Sequence, residues 1–237
     1  MASASDYRSR VSDLSNVLLL WDIDGTLVTH APSQRDRHAH AVSMVIGKSV
    51  DPLPAGVGKT DRQIIIELFA DFMPDNDDVE RALAIIDEIT AEDMVTAPSI
   101  PIAGANDALL VLQQSGGTHS VLTGNTPRRA RLKLHAAGLD APMDFDSGFY
   151  GDMHSTRMEL VAAAAQQLSL QAGVQPVIIG DTPLDILAAQ TSGIPVIAVA
   201  TGAYSVEDLS EHRPHAVIAD FSEPGGLAAH ISSAVCR

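Results

Sequence analysis

The chain is short of cysteine, aromatic residues and basic residues, and each shortage removes a class of function. A single cysteine, Cys236, stands next to the C-terminus of the 237 residues. That leaves no intramolecular disulfide and no thiolate set for a zinc site. A catalytic thiol is not expected where a terminus frays. Aromatics make up 4% of the chain, too few for the stacking platforms that hold single-stranded nucleic acid. Lysine and arginine number 15 against 30 aspartates and glutamates, a formal net charge of −15. The balance argues against nucleic acid and against an anionic membrane as partners. It does not argue against a phosphorylated ligand, because a bound divalent cation can reverse the local field. The first sixteen residues are polar and the apolar run after them is short, so neither a signal peptide nor a transmembrane segment is expected. The reading is a cytoplasmic protein, monomer or homodimer.

What is plentiful is apolar. Hydrophobic residues are 46% of the chain, enough for the core of one large domain or of a domain with an insertion. Val17 to Trp21 reads as a short strand buried on both faces, as in parallel sheets. A helix is expected from about Ala39 to Ile46. "GVGKTD", residues 56–61, reads as a loop with Asp61 as N-cap of a helix carrying Ile64, Ile65, Leu68 and Phe69. The acidic run from Asp75 to Asp78 suits the start of a further amphipathic helix. Beyond Ile100 helices and strands alternate. Helices are expected over Ala105–Gln114, Pro127–Ala137, Glu159–Leu168 and Leu184–Thr191. Strands are expected in "HSVLTGN", "PVIIGDTPLD", "PVIAVATG" and "HAVIADF". Alternation implies an α/β fold with a doubly wound parallel sheet, and the block from about 30 to 102 reads as an inserted helical unit.

Three of these strands end in polar clusters: Asp22 and Asp24; Thr123, Gly124 and Asn125; Asp181 and Asp185. Ligands of open parallel sheets bind beyond the carboxyl ends of the strands, so neighbouring strands would bring the clusters together. Two carboxylates one residue apart repel, and one would hold its proton unless a cation were present. Hard oxygen ligands without cysteine or clustered histidine point to Mg²⁺. A hydroxyl and the amides exposed at a strand-end glycine make a phosphate cradle.

These residues resemble the haloacid dehalogenase superfamily. Asp22-Ile23-Asp24-Gly25-Thr26 is similar to its DxDGT signature, Thr123-Gly124-Asn125 to its second motif, and Gly180 to Asp185 to its GDxxxD motif. The resemblance spans nearly the whole chain. It implies a Rossmann-like core from residues 1–29 and 103–237, with an α-helical cap from 30–102. It implies Asp22 as the nucleophile that forms an aspartyl-phosphate and Asp24 as the acid and base that serves the leaving group and water. Mg²⁺ would be held by Asp22, the Ile23 carbonyl, Asp24 and Asp181, with Asp185 in support. Thr123, Gly124 and Asn125 would take phosphate oxygens. The family's third motif, a Lys or Arg, has no clear counterpart. Arg157, at the start of its helix, is the preferred candidate and would also clamp phosphate. Lys133, in the middle of a helix, reads more simply as part of a solvated face. "GKTD" resembles a stretch of phosphoglycolate-phosphatase-like members, and Lys59 is its candidate contact to the substrate. The histidines, His30, His38, His40, His135 and His154 among them, are scattered, and only His154 lies near a candidate residue. Trp21 is expected in the core.

The implied activity is Mg²⁺-dependent hydrolysis of a small phosphomonoester. A sugar phosphomutase needs the same two aspartates. Dehalogenation is disfavoured, since a departing halide needs no proton from Asp24, and phosphonate hydrolysis is disfavoured too. A receiver-like phosphoaspartate switch would be about half as long. A silent binding module would be expected to have lost one of Asp22, Asp24 or Asp181.

Overall fold

The computed structural model describes residues 13–29, 37–54 and 57–236. The strands are β1 (Val17–Trp21), β2 (Val28–Thr29), β3 (Ile100–Pro101), β4 (Thr118–Thr123), β5 (Met143–Tyr150), β6 (Gln175–Gly180), β7 (Val196–Val199) and β8 (Ala216–Ile218). Six of them form one sheet in the order β5-β4-β1-β6-β7-β8. Every pairing in it is parallel. Side chains alternate between two apolar layers, as a strand's period of two requires. On one face Leu19 and Trp21 pack with Val121, Ile179 and helices α4 (Ala105–Gln114), α5 (Pro127–Ala136) and α9 (Pro224–Val235). On the other, Leu18 and Leu20 pack with Leu122, Ile178 and helices α6 (Arg157–Leu168), α7 (Pro183–Thr191) and α8 (Val206–Glu211). The α/β reading of the sequence holds.

Between β2 and β3 lie α1 (Arg37–Ile46), α2 (Asp61–Leu68) and α3 (Asn76–Thr96). They share an apolar cluster of their own, including Val42, Ile65, Phe69, Val79 and Leu83. β2 and β3 pair antiparallel where the chain leaves the core and returns, a ribbon too short to carry a sequence signal. Among the described residues no helix is long and apolar enough to cross a membrane.

Two local expectations need correction. Thr60, not Asp61, is the N-cap of α2: its side chain accepts from the Gln63 amide. The hydroxyl serves the helix, and the Asp61 carboxylate is left for longer-range contacts. β5 was not anticipated. Its segment, Met143-Asp-Phe-Asp-Ser-Gly-Phe-Tyr150, is polar and its register against β4 shifts between Ser120 and Leu122. An edge strand with one neighbour does not need the apolar run that marks a central one.

Candidate active site

The sheet order places the ends of β4, β1 and β6 side by side. The chain runs from β1 to one side for β4 and to the other for β6, so β1 marks a topological switch point. The three polar clusters therefore meet. The Asp22 amide still bonds the Ile179 carbonyl of β6 at 2.9 Å, so the ladder fixes the position of its carboxylate. The chain then turns: Leu27 and Val28 both donate to the Ile23 carbonyl, at 2.9 and 3.0 Å. Gly25 takes φ +88° in this turn. A Cβ there, or on Gly202, would collide with the Asp181 carboxylate. Two glycines thus clear the space that Asp181 occupies.

Asp22, Asp181 and Asp185 bring carboxylate oxygens within 4.8 Å of one another, all three buried. Burial pushes the Asp22 carboxyl up to about 7, against the pull of Arg157. Burial, then the charges of Asp22 and Asp185, push Asp181 well above the usual carboxylate range. One guanidinium answers this cluster. Arg157 Nη2 donates to Asp22 at 3.2 Å and to the Leu122 carbonyl at 3.1 Å, and faces Asp185 at 2.5 Å. Asp185 Oδ2 accepts from the amide and hydroxyl of Thr182 at 3.1 and 2.7 Å. An all-oxygen, under-compensated acidic group fits a hard divalent cation.

Asp24 faces a different partner. Lys133 Nζ lies 2.7 Å from both its carboxylate oxygens, and Asn125 Nδ2 donates to it at 2.7 Å. Lys133 also donates to Asn125 Oδ1 at 2.6 Å, and the Thr123 hydroxyl accepts from Asn125 Nδ2 at 2.7 Å. Burial pulls the Lys133 ammonium down to about 8, with Asp24 opposing. The two aspartates of the opening motif are held by separate cations.

These groups line a cleft of about 770 Å³ that the inserted helices help to wall. The Asp61 amide donates to the Gly124 carbonyl at 2.7 Å, and a Cβ on Gly124 would run into the Lys59 carbonyl. The glycine is needed because the inserted chain passes directly over it. The Asp61 carboxylate accepts from His38 Nε2 at 2.8 Å, from the Thr126 amide at 3.0 Å and from Arg129 Nη1. Burial would raise this carboxyl, but Arg129 and His38 outweigh it and hold it well below the usual range.

The chain is similar to several known proteins. The HAD-hydrolase-like family model matches residues 157–224. A "Probable phosphatase IndB" of Dickeya dadantii is 29% identical over 56% of this chain and 57% of its own; the chain thus aligns with little more than half of that protein. A "Phosphoglycolate phosphatase" of Mesorhizobium japonicum is 27% identical over 88% of this chain and 92% of its own. Among solved structures, a HAD hydrolase of family IA, variant 3, from Entamoeba histolytica superposes with a TM-score of 0.65 at 17% identity, covering 91% of this chain and all of that one. Over residues 157–224 the chain is thus similar to HAD-like hydrolases, and over most of its length to proteins named as phosphatases.

Several predicted residues have other neighbours than the sequence suggests. Lys133 is not on a solvated face: its side chain is 3% exposed and bound to Asp24. The buried face of α5 carries Arg129, Ala130, Lys133 and Leu134, a spacing of three and four that could have shown it. Arg157 lies beside Asp22 and Asp185. The Ile23 carbonyl is not placed to be a ligand, because the turn takes its lone pairs with two amides. The Asp24 carboxylate stands outside the acidic group and faces Lys133. Thr123 is fully buried and braces Asn125, while Gly124 and Asn125 reach the cleft. Lys59 lines the cleft but pairs with Glu67 at 2.6 Å. His154 contributes its carbonyl, which accepts from the Thr60 hydroxyl at 2.9 Å. His30 lies outside the described residues. Trp21 is in the core and donates to His119 Nδ1 at 2.9 Å. Arg37 and Arg129 carry no site signal in the sequence, Asp61 reads there only as a cap and His38 only as a scattered histidine; their side chains come together only when α1, α2 and α5 pack.

Proposed function

We propose that the chain is a phosphatase that hydrolyses a small phosphomonoester through an aspartyl-phosphate on Asp22. The observation that supports this most directly is the split environment of the two aspartates. Asp22 sits at a strand end beside Arg157 and the acidic group. Asp24, two residues on, sits in a hydrogen-bonded pocket open to the same cleft. One carboxylate is placed to attack and the other to exchange a proton.

Asp22 Oδ attacks phosphorus and a P–O bond to the substrate's alcohol breaks. The departing oxygen takes a proton at the Asp24 side of the cleft. Water then attacks the phosphorus of the acyl phosphate, gives its proton to Asp24 and frees the Asp22 carboxylate with inorganic phosphate. Arg157 orients Asp22 and offsets part of the negative charge. Gly124 and Asn125 face the cleft where phosphate oxygens would lie. Asp22 and Asp181 would hold a divalent cation such as Mg²⁺, with Asp185 fixing Arg157 and Thr182. When bound, that ion neutralises phosphoryl charge, which is where most of the catalysis of phosphoryl transfer originates. Lys133 keeps Asp24 in place for both proton transfers.

The test is phosphate release from a panel of short phosphomonoesters, with Mg²⁺ or with a chelator, by the wild-type chain and Asp22→Asn. Release is expected only with the metal and the intact aspartate, and rapid quenching should trap label from the substrate phosphate on the wild-type protein. Unchanged release by Asp22→Asn would overturn the proposal. Label transferred to a second sugar phosphate rather than to water would select the phosphomutase instead.

A further inference from the structure

Among the described residues, each basic side chain that lines the cleft already has a carboxylate of this chain as its partner. Arg157 stands between Asp22 and Asp185, and Lys133 is bound to Asp24. Arg129 and His38 share Asp61. Arg37 is bound to Asp93 of α3, and its Nη2 is buried, so it presents little to a ligand. Lys59 is the most exposed of the six, yet its ammonium lies 2.6 Å from Glu67, which also accepts from Gln63 at 3.0 Å. A second anion on the substrate would have to compete with one of these carboxylates for its cation.

Between these pairs the inserted wall is apolar. Pro52, Leu53, Val57 and Ile64 all line the cleft. Leu53 and Ile64 are partly buried against the apolar cluster of the inserted helices, and Val57 is 37% exposed. The chain holds this wall close to the reacting groups. Gly58, next to Val57, takes φ +80°, and a Cβ on it would meet the hydroxyl of Thr182, the neighbour of Asp181. A Cβ on Gly124 would meet the Lys59 carbonyl. The stretch from Val57 to Lys59 therefore lies against both the start of α7 and the end of β4. Apolar surface of this kind gains when another apolar group covers it, and a charge pressed against it would lose its water without finding a partner. The cleft, at about 770 Å³, is of a size that encloses small-molecule ligands.

We infer that the cleft selects phosphomonoesters of uncharged alcohols with an apolar body, which lies against Leu53, Val57 and Ile64 while the phosphate faces Gly124 and Asn125. This rests on the hydrolytic reading above and narrows its substrate class. It sets that class apart from short alcohols that carry a carboxylate. The discrimination has two sources: the wall is covered only by an apolar body, and the cations that could meet a second anion are already taken.

The experiment compares ethyl, butyl and hexyl phosphate with phosphoglycolate. Binding is measured by calorimetry with Mg²⁺ on Asp22→Asn, where turnover is blocked, and turnover is measured on the wild-type chain. Each methylene that reaches the wall should tighten binding about fourfold, so butyl phosphate should bind about tenfold tighter than ethyl phosphate or better. The kcat/KM values should rise with chain length in the same way, and phosphoglycolate should do no better than ethyl phosphate. Val57→Ser, at an exposed position, and Ile64→Thr, which nearly keeps the shape, are each made in both backgrounds. Either should lower the butyl-to-ethyl ratio about threefold or more. A butyl-to-ethyl ratio near one before substitution would overturn the inference. So would tighter binding of phosphoglycolate than of butyl phosphate, or a ratio that neither Val57→Ser nor Ile64→Thr changes. A chain-length preference in binding without turnover of any probe by the wild-type chain would overturn the hydrolytic proposal and leave the apolar wall standing. Turnover of every probe at equal kcat/KM would do the reverse.

Discussion

At the scale of single residues, Arg157 and Lys133 are both buried cations paired with a carboxylate, but their surroundings differ. Arg157 is 2% exposed and its partners Asp22 and Asp185 are 10% and 1% exposed. Lys133 is 3% exposed, but its partner Asp24 is 38% exposed. Removing one partner of a fully buried pair leaves an uncompensated charge and costs about 3–5 kcal/mol. Removing one partner of a half-exposed pair lets water rescue the other. Arg157→Met should therefore lose both stability and turnover. Lys133→Met should lose turnover by about 10²-fold or more, as expected when an acid–base group is displaced, with a much smaller loss of stability. Urea unfolding alongside kcat separates the two. A Lys133→Met chain with unaltered turnover would show that Asp24 needs no cation. His119 carries a further prediction. Burial lowers its imidazole to about 4, against about 6.5 in an unfolded chain. Between those values the unfolded chain binds more protons, so this residue's contribution to stability falls as pH drops from about 6.5 to 4. His119→Asn can keep an acceptor for Trp21 but removes the titration. The stability of wild type relative to this variant should decline over that window, and a constant difference would refute it.

At the scale of elements, α7 shows how caps and site are built from the same atoms. Thr182 caps the helix, accepting from the Asp185 amide, while the Asp185 carboxylate accepts from the Thr182 amide and hydroxyl. Thr182→Ala should cost about 1 kcal/mol through the lost cap and should also free the carboxylate that positions Arg157. A fall in unfolding midpoint together with a lower kcat is the expected pair of results; a stability loss with turnover intact would confine the capping box to the helix. Elements of this kind were legible because their signals are local. The continuous apolar runs of β1 and β6, the helix start at Pro127 and the strand-end clusters each lie within about ten residues of sequence. The side-chain partnerships were not legible. Lys133 was misread because a lysine's ordinary place is in water, and only the packing of α5 against the β4 end makes it a partner of Asp24. Asp61 was misread because a local cap competes with a contact to Arg129, 68 residues away. The Ile23 carbonyl was misassigned because the turn after Asp24 takes up its lone pairs.

At the scale of the whole molecule, the inserted helices and the core share one buried polar junction. Asp61 of α2 meets Arg129 of α5, His38 of α1 and the Thr126 amide, and Arg129 reaches back to Thr90 of α3 at 3.0 Å. Arg129 and Lys133 lie one turn apart on α5, so the junction that seats the inserted helices is one turn from the cation that holds Asp24. Arg129 and Asp61 are 5% and 6% exposed. Such a pair is weak evidence for stability, because desolvation cancels much of the attraction, yet breaking it from one side is costly. Asp61→Ala should cost about 3–5 kcal/mol by stranding Arg129, and KM for any phosphomonoester should rise as the inserted helices unseat. Asp61→Leu with Arg129→Met removes both charges and should recover most of that loss. Wild type, Asp61→Leu, Arg129→Met and their double variant close a double-mutant cycle, and a coupling of about 0.5 kcal/mol or less would mean the two charges act independently. If the coupling is large and KM follows it, the ion pair is what joins the wall of the cleft to the chemistry at its floor.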